Sequence, residues 1–283
     1  MIIIIYSHQD HLELAEALSH CLKYQPGIKR VVIKNQLNLA YYHQLHIFVD
    51  LHHFANVPQK QMPPRYIMYN YQQLPFGRRH KFEMVLDKAQ RALAIWDYSQ
   101  LNRQLIKKDF CLETIYVPFG YSETYKPSLD TNLIANLNQI YDVIFIGELS
   151  PRRKVILTQL TDLGLNVIAP FRIDGLAKMR LIRQGKILLN MHKRDSDGIL
   201  EASRLVFYLA NEAFVISERS SDQQLMTDFE KKIVFADTVE CIPQLVKNYL
   251  SRPDDRLRFA KQANQWLINE YHYANMLPIL KNI

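Results

Sequence analysis

The sequence has little of what marks a secreted or membrane-spanning chain. Its 283 residues include three cysteines, Cys21, Cys111 and Cys241, which stand far apart and in no metal-ligand spacing. Such sparse cysteines are typical of reduced thiols in a cytoplasmic protein. No apolar run approaches the ~20 residues that a bilayer-spanning helix requires. The apolar opening Met1–Ile5 is too short for a signal-peptide core and predicts a first strand instead. We therefore expect a cytoplasmic localisation.

Two common nucleotide-binding motifs are also absent. The chain has eight glycines, and they form neither the GxGxxG of dinucleotide-binding folds nor a P-loop, which argues against classical dinucleotide and ATP cradles. There is no low-complexity tract and no repeat of fixed period. The apolar content of 48% and the charged content of 22% are those of an ordinary folded globular protein.

The charge balance is basic. The chain has 35 Lys and Arg against 28 Asp and Glu, a formal charge of +7, which favours anionic partners such as nucleotide phosphates. This charge is also compatible with peripheral contact with an acidic membrane surface. The basic clusters are short, at 78–81, 107–108, 152–154 and 193–194. Because no long basic block exists, a nucleic-acid partner is not supported.

Short apolar runs alternate with helical patterns along most of the chain. The predicted strands are 1–6, 30–34, 46–50, 66–71, 92–96, 114–117, 142–147, 166–169, 186–190, 213–217 and 232–235. Helical periodicity is found at 10–23, 81–90, 99–107 and 253–270 and from residue 199 onward. The apolar run 187–189 does not alternate, as expected of a parallel strand buried on both faces. The pattern predicts an α/β fold with two tandem Rossmann-like domains.

A composition shift marks the predicted domain boundary. Residues 121–139 carry a proline and many short polar side chains, with little apolar periodicity at their start. We place a first Rossmann-like domain at 1–125 and a second at 138–252. A chain of 283 residues suits two domains of ordinary size.

The stretch 186–218 predicts the main site. It has the pattern strand, polar loop, helix, strand, and polar groups beyond the carboxyl ends of parallel strands are where open α/β sheets bind ligands. Asn190 and His192 end the first of these strands. Glu201 and Arg204 lie three apart on the predicted helix and are either donor contacts or a simple surface pair. Glu218 closes the second strand, where it is also a candidate helix cap.

A second polar cluster begins at Gly147. Ser150 suits a helix N-cap and Pro151 the first helical position. Arg152 and Arg153 then fall in the first turn, where cations oppose the helix dipole. Because a helix N-terminus with arginines beside it can bind phosphate, we interpret this turn as a phosphate site. A solvated basic turn is the alternative.

Histidines and carboxylates follow the strands of the first half. His8 comes after the first predicted strand, Asp50 with His52 and His53 after the third, and Asp97 after the fifth. A histidine backed by a carboxylate suits a general base, since its pKa lies near neutrality. We take His8, Asp50, His52 and Asp97 as catalytic candidates. Asp50 as a plain strand end is the simpler alternative.

Together these motifs resemble a known family. They are similar to glycosyltransferases of the two-domain GT-B fold, and more closely to family-1-like bacterial and viral proteins related to the spore-maturation CgeB group. The matching residues are Phe145, Ile146, Gly147, Arg152 and Arg153, the segments 186–192 and 214–218, and Glu201, Arg204 and Asn211 in the second half, with 66–70, 96–102 and 117–121 in the first. The resemblance covers most of the chain, through motifs that are each short.

The resemblance implies a GT-B fold with a cleft between the domains and a C-terminal helix, 253–283, crossing back to the first. A nucleotide-sugar donor would bind the second domain, and a glycan or other hydroxyl acceptor the first. The implied donor-binding residues are Gly147, Arg152, Arg153, Asn190, His192, Glu201 and Arg204. No metal and no other cofactor is expected, because arginines and a helix N-terminus can stabilise a departing diphosphate. The segment Asp195-Ser196-Asp197 has the form of an Asp-x-Asp metal motif. Because it lies within a basic loop, we interpret this match as chance.

The sequence departs from the family in three places. Gln72 stands where the family has a glutamate, an acidic residue is missing near Phe207, and a glycine is missing near Glu212. Glu201 is then the expected ribose contact. These departures keep open a non-catalytic GT-B-like module that binds a glycan or a protein. The basic charge also permits a glycosyltransferase acting on nucleic acid, although no stacking platform or basic arm is found.

Overall fold

The chain forms two compact units in the computed structural model, which describes residues 1–37, 39–75, 77–126, 138–195 and 198–280. One unit consists of Met1–Thr124 with Tyr273–Ile283, and the other of Tyr125–His272. Most of the predicted boundary segment lies outside the described residues.

The first unit is built on a six-stranded parallel sheet. Its strands are β1 (Ile2–Ser7), β2 (Arg30–Lys34), β3 (Leu45–Val49), β4 (Tyr66–Asn70), β5 (Ala94–Asp97) and β6 (Ile115–Tyr116). They run in the order β2-β1-β3-β4-β5-β6. β3 and β4 are buried at every position, as expected of central parallel strands. Because β1, β3 and β4 are neighbours, the loops that follow them meet at one edge of the sheet.

Helices and short turns connect these strands. The helices are α1 (Leu12–Leu22), α2 (His80–Glu83), α3 (Leu86–Ala89) and α4 (Gln100–Phe110), with 3-10 turns at Gln9–His11, Leu39–Tyr41, Leu51–Phe54, Gln59–Gln61 and Glu123–Tyr125. The single helix predicted at 81–90 is two short helices. Ser99 begins α4 as an N-cap, and its Oγ accepts from Asn102 N at 3.2 Å.

The second unit has a five-stranded parallel sheet in the order β11-β10-β9-β7-β8. Its strands are β7 (Tyr141–Ile144), β8 (Val167–Ile168), β9 (Gly185–Asn190), β10 (Val215–Glu218) and β11 (Val234–Ala236). Each unit has its own apolar core, the first around Tyr6 and Phe48 and the second around Phe145 and Leu189. The prediction of an α/β fold with two parallel sheets is confirmed.

The helices of the second unit are α5 (Pro151–Asp162), α6 (Gly175–Arg183), α7 (Ala202–Ala210), α8 (Gln223–Phe229), α9 (Ile242–Leu250) and α10 (Pro253–Asn269), with a 3-10 turn at Val239–Cys241. Ser150 caps α5 as its sequence predicts, with Oγ accepting from Arg153 N at 3.3 Å. α7 begins later than predicted, so Glu201 precedes this helix instead of lying within it.

The C-terminal segment is divided between the units. α10 belongs to the second unit, where Asn264 Nδ2 donates to the carbonyls of Leu209 and Ala210 at 2.7 and 3.1 Å. These bonds close the end of α7 against α10. The expectation that 253–283 returns as one element is therefore corrected, because only α11 (Tyr273–Met276) and the residues after it belong to the first unit. In the described part of the chain no helix combines the length and apolar character needed to cross a membrane.

Candidate functional site

Arg204 is held beside Gly147 at the carboxyl end of β7. Gly147 has a φ of 153°, which favours glycine, and a Cβ there would lie 3.3 Å from Arg204 Nη2. Arg204 stands in the first turn of α7 and donates from Nη1 to Asn190 Oδ1 at 3.0 Å. Its guanidinium carbon lies 5.4 Å from the centroid of the Phe145 ring. The fold thus brings three predicted donor-binding residues together at the ends of β7 and β9.

Arg153 points into the second unit. It is 2% exposed, and its guanidinium donates to the carbonyls of Glu148 at 2.8 Å, Met191 at 2.6 Å and His192 at 3.2 Å. Consecutive residues of an α-helix point about 100° apart, so Arg153 and its neighbour Arg152 cannot face the same way. Arg153 ties α5 to the segment after β9. We therefore withdraw it from the phosphate contacts.

Arg152 forms a forked ion pair with Glu218 at the end of β10. Its Nη1 donates to Oε2 at 2.8 Å and its Nη2 to Oε1, while Nε donates to Asp195 Oδ1. The hydrogen bond to Glu218 is the main cause that raises the pKa of Arg152 above its ordinary value. Two carboxylates balance this guanidinium, so it is less available to a phosphate than that of Arg204.

A groove of about 400 Å³ opens beyond β9, β10 and β11, a volume usual for small-molecule sites. It is lined by the side chains of Arg152, His192, Asp195, Glu218, Arg219 and Asp237, among others. His192 is buried at the groove, with Nε2 2.8 Å from Arg219 O. Its Nδ1 is buried and has no hydrogen-bond partner within the described ranges. The groove therefore presents carboxylate oxygens to a ligand, and an unpartnered ring nitrogen is buried beside it.

The other residues of the second unit that the sequence analysis names are Glu201, Phe207, Asp195 and Asp197. Glu201 stands half-buried directly before α7, and it makes no side-chain cap to that helix. Phe207, near which the resemblance implies an acidic residue, is a buried ring, with Lys178 Nζ 3.9 Å from its centroid. Asp195 is exposed and paired with Arg152. Asp197 lies outside the described residues.

Asp50 is the centre of a polar cluster in the first unit. It is 1% exposed and has a left-handed backbone with φ of 58°, which costs a residue with a Cβ about 1–2 kcal/mol. His11 Nε2 lies 3.0 Å from its Oδ2, His52 Nδ1 contacts its Oδ1, and Gln72 Nε2 donates to Oδ2 at 2.5 Å. Burial alone raises the pKa of Asp50, but the hydrogen bonds to His11 and His52 outweigh it and hold that pKa well below its usual range.

Two further histidines complete this cluster. His53 Nε2 lies 3.7 Å from Asp50 Oδ2, and the ring of His53 stacks on His8 with centroids 4.2 Å apart. Burial, followed by the nearby charge of His52, lowers the pKa of His53 to about 4. Three of the four predicted catalytic candidates, His8, Asp50 and His52, therefore lie together.

The sequence patterns did not single out His11, which belongs to the turn before α1 and lies 39 positions before Asp50. It joins the cluster because β1 and β3 are paired neighbours in the sheet. The signal that would have found it is the pairing of these two strands, since any polar residue soon after β1 then comes near the end of β3.

Asp97, the fourth candidate, belongs to a buried scaffold instead. Its carboxylate is fully buried and accepts from Asn70 Nδ2 at 2.7 Å, Ser99 N at 2.8 Å and Asn102 Nδ2 at 3.0 Å. These bonds join the ends of β4 and β5 to the start of α4. A carboxylate so enclosed has no access to a substrate, and we withdraw Asp97 from the catalytic candidates.

The fold is that of known GT-B glycosyltransferases. Sucrose-phosphate synthase from Thermosynechococcus elongatus is 9% identical with a TM-score of 0.63, covering 98% of this chain and 96% of that one. HepE from Anabaena, in complex with UDP-glucose, is 11% identical with a TM-score of 0.62, covering 98% and 97%. WaaG, a glycosyltransferase of lipopolysaccharide biosynthesis, is 9% identical with a TM-score of 0.60, covering 97% of each chain. At these identities the likeness establishes the fold alone.

Sequence comparison gives the family. Residues 137–280 match the family described as glycosyl transferase-like, and the chain belongs to this family. Among its relatives are two proteins of Acanthamoeba polyphaga mimivirus. Protein L140 is 30% identical over 155 residues, which is 54% of this chain and 49% of the relative. Protein R358 is 32% identical over 160 residues, 53% and 56% respectively. The chain thus spans about half the length of these relatives.

Proposed function

We propose that the protein is a glycosyltransferase that moves a sugar from a nucleotide-sugar to an acceptor hydroxyl on a glycan or another molecule. The observation that carries the proposal is the placement of Arg204 against Gly147 and Asn190, in a chain of the glycosyl transferase-like family. HepE, which has a similar fold, binds UDP and UDP-glucose. A nucleoside diphosphate is the leaving group that fits these facts.

The chemical requirement is to stabilise the negative charge that grows on the departing diphosphate. The guanidinium of Arg204 makes a single hydrogen bond, to Asn190 Oδ1, within the described residues. The remaining N–H groups of its planar fork are therefore open to oxygen ligands, and such charge-assisted bonds are the strong ones. Because Gly147 has no side chain, the backbone at the end of β7 does not block the approach to Arg204. A fixed guanidinium of this kind supplies electrostatic stabilisation where charge develops.

The groove beyond β9 and β10 suits the hydroxyl-rich parts of the donor. Carboxylates accept hydrogen bonds from hydroxyl groups, and Asp195 and Glu218 both line the groove. His192 adds a buried nitrogen with no partner in the described part of the chain. We assign the ribose or sugar hydroxyls to this groove, and we keep Glu201, which is not among its lining residues, as a separate donor contact.

The acceptor hydroxyl needs a general base, and we assign this role to His52. Its Nδ1 contacts Asp50 Oδ1, so the carboxylate orients the ring. Its Nε2 forms no hydrogen bond among the described residues, which leaves this nitrogen for the proton of an acceptor. Proton transfer to a positioned base typically contributes about 10²–10⁴-fold to the rate.

We assign stabilisation of the departing diphosphate to Arg204 and the α5 N-terminus, without a metal ion. Asp195 is paired with Arg152 and does not stand at a strand end with a second carboxylate. We therefore expect donor cleavage to need no divalent cation at the diphosphate.

The proposal is tested by nucleoside diphosphate release from a panel of nucleotide-sugars. The wild type is expected to release product from at least one donor, and His52→Gln to lower the rate about 10²–10⁴-fold. Glu201→Gln is expected to lower it about tenfold or more, or about 1.4 kcal/mol in the barrier, with an unchanged melting temperature. His43→Gln is the matched control, since His43 is exposed and outside the Asp50 cluster. Wild-type turnover in His52→Gln would remove this histidine as the base.

A non-catalytic module is the second candidate, and the absence of the acidic residue that the resemblance implies near the buried Phe207 favours it. A module of this kind would bind a glycan or a nucleoside diphosphate and release no product from any donor. Calorimetric binding of UDP or GDP with no turnover across the whole panel would therefore support the second candidate over the first.

A further inference from the structure

The histidines around Asp50 offer more ligand atoms than a general base requires. His11 Nε2, Asp50 Oδ2 and His53 Nε2 all lie within 4.8 Å of one another. We propose that His11, Asp50 and His53 form a binding site for a divalent transition-metal ion of the Zn²⁺ class. This site lies wholly in the first unit and is distinct from the diphosphate contacts assigned to the second.

The separations of the ligand atoms fit one small ion. Zn²⁺ binds imidazole nitrogen and carboxylate oxygen at about 2.0–2.2 Å with tetrahedral geometry, so two ligand atoms on one ion stand roughly 3.3 Å apart. His11 Nε2 lies 3.0 Å from Asp50 Oδ2, and His53 Nε2 lies 3.7 Å from the same oxygen. These distances lie on either side of the tetrahedral value. Small rotations of the His11 and His53 rings would let both Nε2 atoms and Asp50 Oδ2 coordinate the same ion.

The surroundings keep these three groups in place. Gln72 Nε2 donates to Asp50 Oδ2 at 2.5 Å, which is how outer residues orient a ligating carboxylate. The ring of His8 stacks on that of His53, and the ring of Tyr71 lies 4.2 Å from that of His11. Asp50 keeps its carboxylate in the cluster through a left-handed backbone, a strained arrangement that often marks functional positions.

The residue types of the cluster also suit a metal. Two imidazoles and one carboxylate are the ligand set of many zinc and non-haem iron sites, with further positions left for water or substrate.

The two roles of Asp50 use different oxygens. His52 contacts Oδ1, whereas His11, His53 and Gln72 gather at Oδ2. A metal at Oδ2 therefore leaves the contact between His52 and Oδ1 in place. The metal site does not rest on the proposed transfer reaction, because a non-catalytic protein would bind the ion equally.

The test is a titration of the metal-free full chain with Co²⁺, a visible-light probe for zinc sites. We expect one equivalent per chain to give the intense d–d absorption of a four- or five-coordinate ion, and Zn²⁺ to remove it by competition. His11→Gln and His53→Gln are expected to weaken binding by more than the roughly 10–100-fold that loss of an outer-shell partner costs. His43→Gln, which removes an exposed histidine outside the cluster, should bind as the wild type does.

Thermal melting of each variant separates loss of the site from loss of the fold, and the glutamines keep side-chain size close to that of histidine. A wild type that gives no Co²⁺ spectrum would overturn the proposal. So would wild-type affinity in either His11→Gln or His53→Gln, because the site needs both imidazoles.

Discussion

Arg204 and Gly147 occupy complementary positions: a Cβ on Gly147 would lie 3.3 Å from Arg204 Nη2. A contact this close is tighter than ordinary side-chain packing, and the φ of 153° at Gly147 is one that other residues rarely adopt. The backbone at the end of β7 is therefore shaped around the guanidinium. The second unit positions one arginine at the edge of its sheet and keeps space beside it.

The first prediction separates the roles of Arg204 and Arg153, both of which the sequence analysis assigns to donor binding. Arg204→Met should weaken UDP or GDP binding by about 1.5–3 kcal/mol, the range for hydrogen bonds to a charged group. Arg153→Met should instead lower the free energy of unfolding by about 1–3 kcal/mol or more, since it leaves buried carbonyls unsatisfied. Calorimetry measures the binding, and urea denaturation measures the stability.

The same substitution at both positions makes each variant a control for the other. Methionine keeps much of the length of arginine and removes only the guanidinium. If Arg153→Met lost nucleotide affinity while keeping its stability, and Arg204→Met did the reverse, the assignment of the two roles would be wrong.

Much of the fold could be predicted from the sequence because strand burial leaves a clear pattern. All eleven predicted strands are present, and those of β2 and β9 differ from the structure by at most one residue at an end. Continuous apolar runs such as Ile187–Leu189 are typical of strands that are covered on both faces. The helix predicted at 81–90 is two short helices, because a short apolar pattern does not show where the backbone breaks.

The site was harder to predict, because burial of single side chains depends on tertiary packing. Arg152 and Arg153 are equivalent in sequence, yet the rotation of α5 buries the second under the end of β9. Asp97 follows a strand as a catalytic carboxylate would, but the side-chain amides of Asn70 and Asn102 enclose it. His11 reaches Asp50 only through the pairing of β1 with β3. Strand order in a sheet is the information that local patterns lack.

The second prediction concerns the pH dependence of stability. Cys21 is 2% exposed within α1, and burial raises the pKa of its thiol to about 11. The unfolded thiol has a pKa of about 8.5, so the folded state holds this proton more tightly. The stability due to the protonated thiol is therefore complete below about pH 8.5 and is lost as pH rises toward 11.

The measurement is the urea midpoint of the wild type and of Cys21→Ala between pH 7.5 and pH 10.5, under reducing conditions. The difference between the two proteins should shrink as pH rises, because only the wild type loses the contribution of the buried thiol. Cys111→Ala is the control, since Cys111 is exposed. A constant difference between wild type and Cys21→Ala across this range would show that the thiol does not titrate differently in the folded state.

The third prediction concerns Glu212, near which the resemblance implies a glycine. Glu212 follows α7 with a φ of 59°, and its N–H donates to Leu209 O at 3.1 Å, an arrangement that ends many helices with glycine. A left-handed backbone costs a residue with a Cβ about 1–2 kcal/mol, and the extra unfolded-state freedom of glycine offsets roughly 0.5–1 kcal/mol of that.

Glu212→Gly should therefore raise the free energy of unfolding by about 0.5–1 kcal/mol in urea denaturation. Glu212→Ala, which keeps the Cβ, should stay within about 0.5 kcal/mol of the wild type. An equal or lower stability for glycine than for alanine would contradict this account. If glycine is the more stable residue here, the chain has kept the left-handed backbone that a glycine would adopt although the residue itself has changed. The missing glycine is then no evidence that the protein has lost activity.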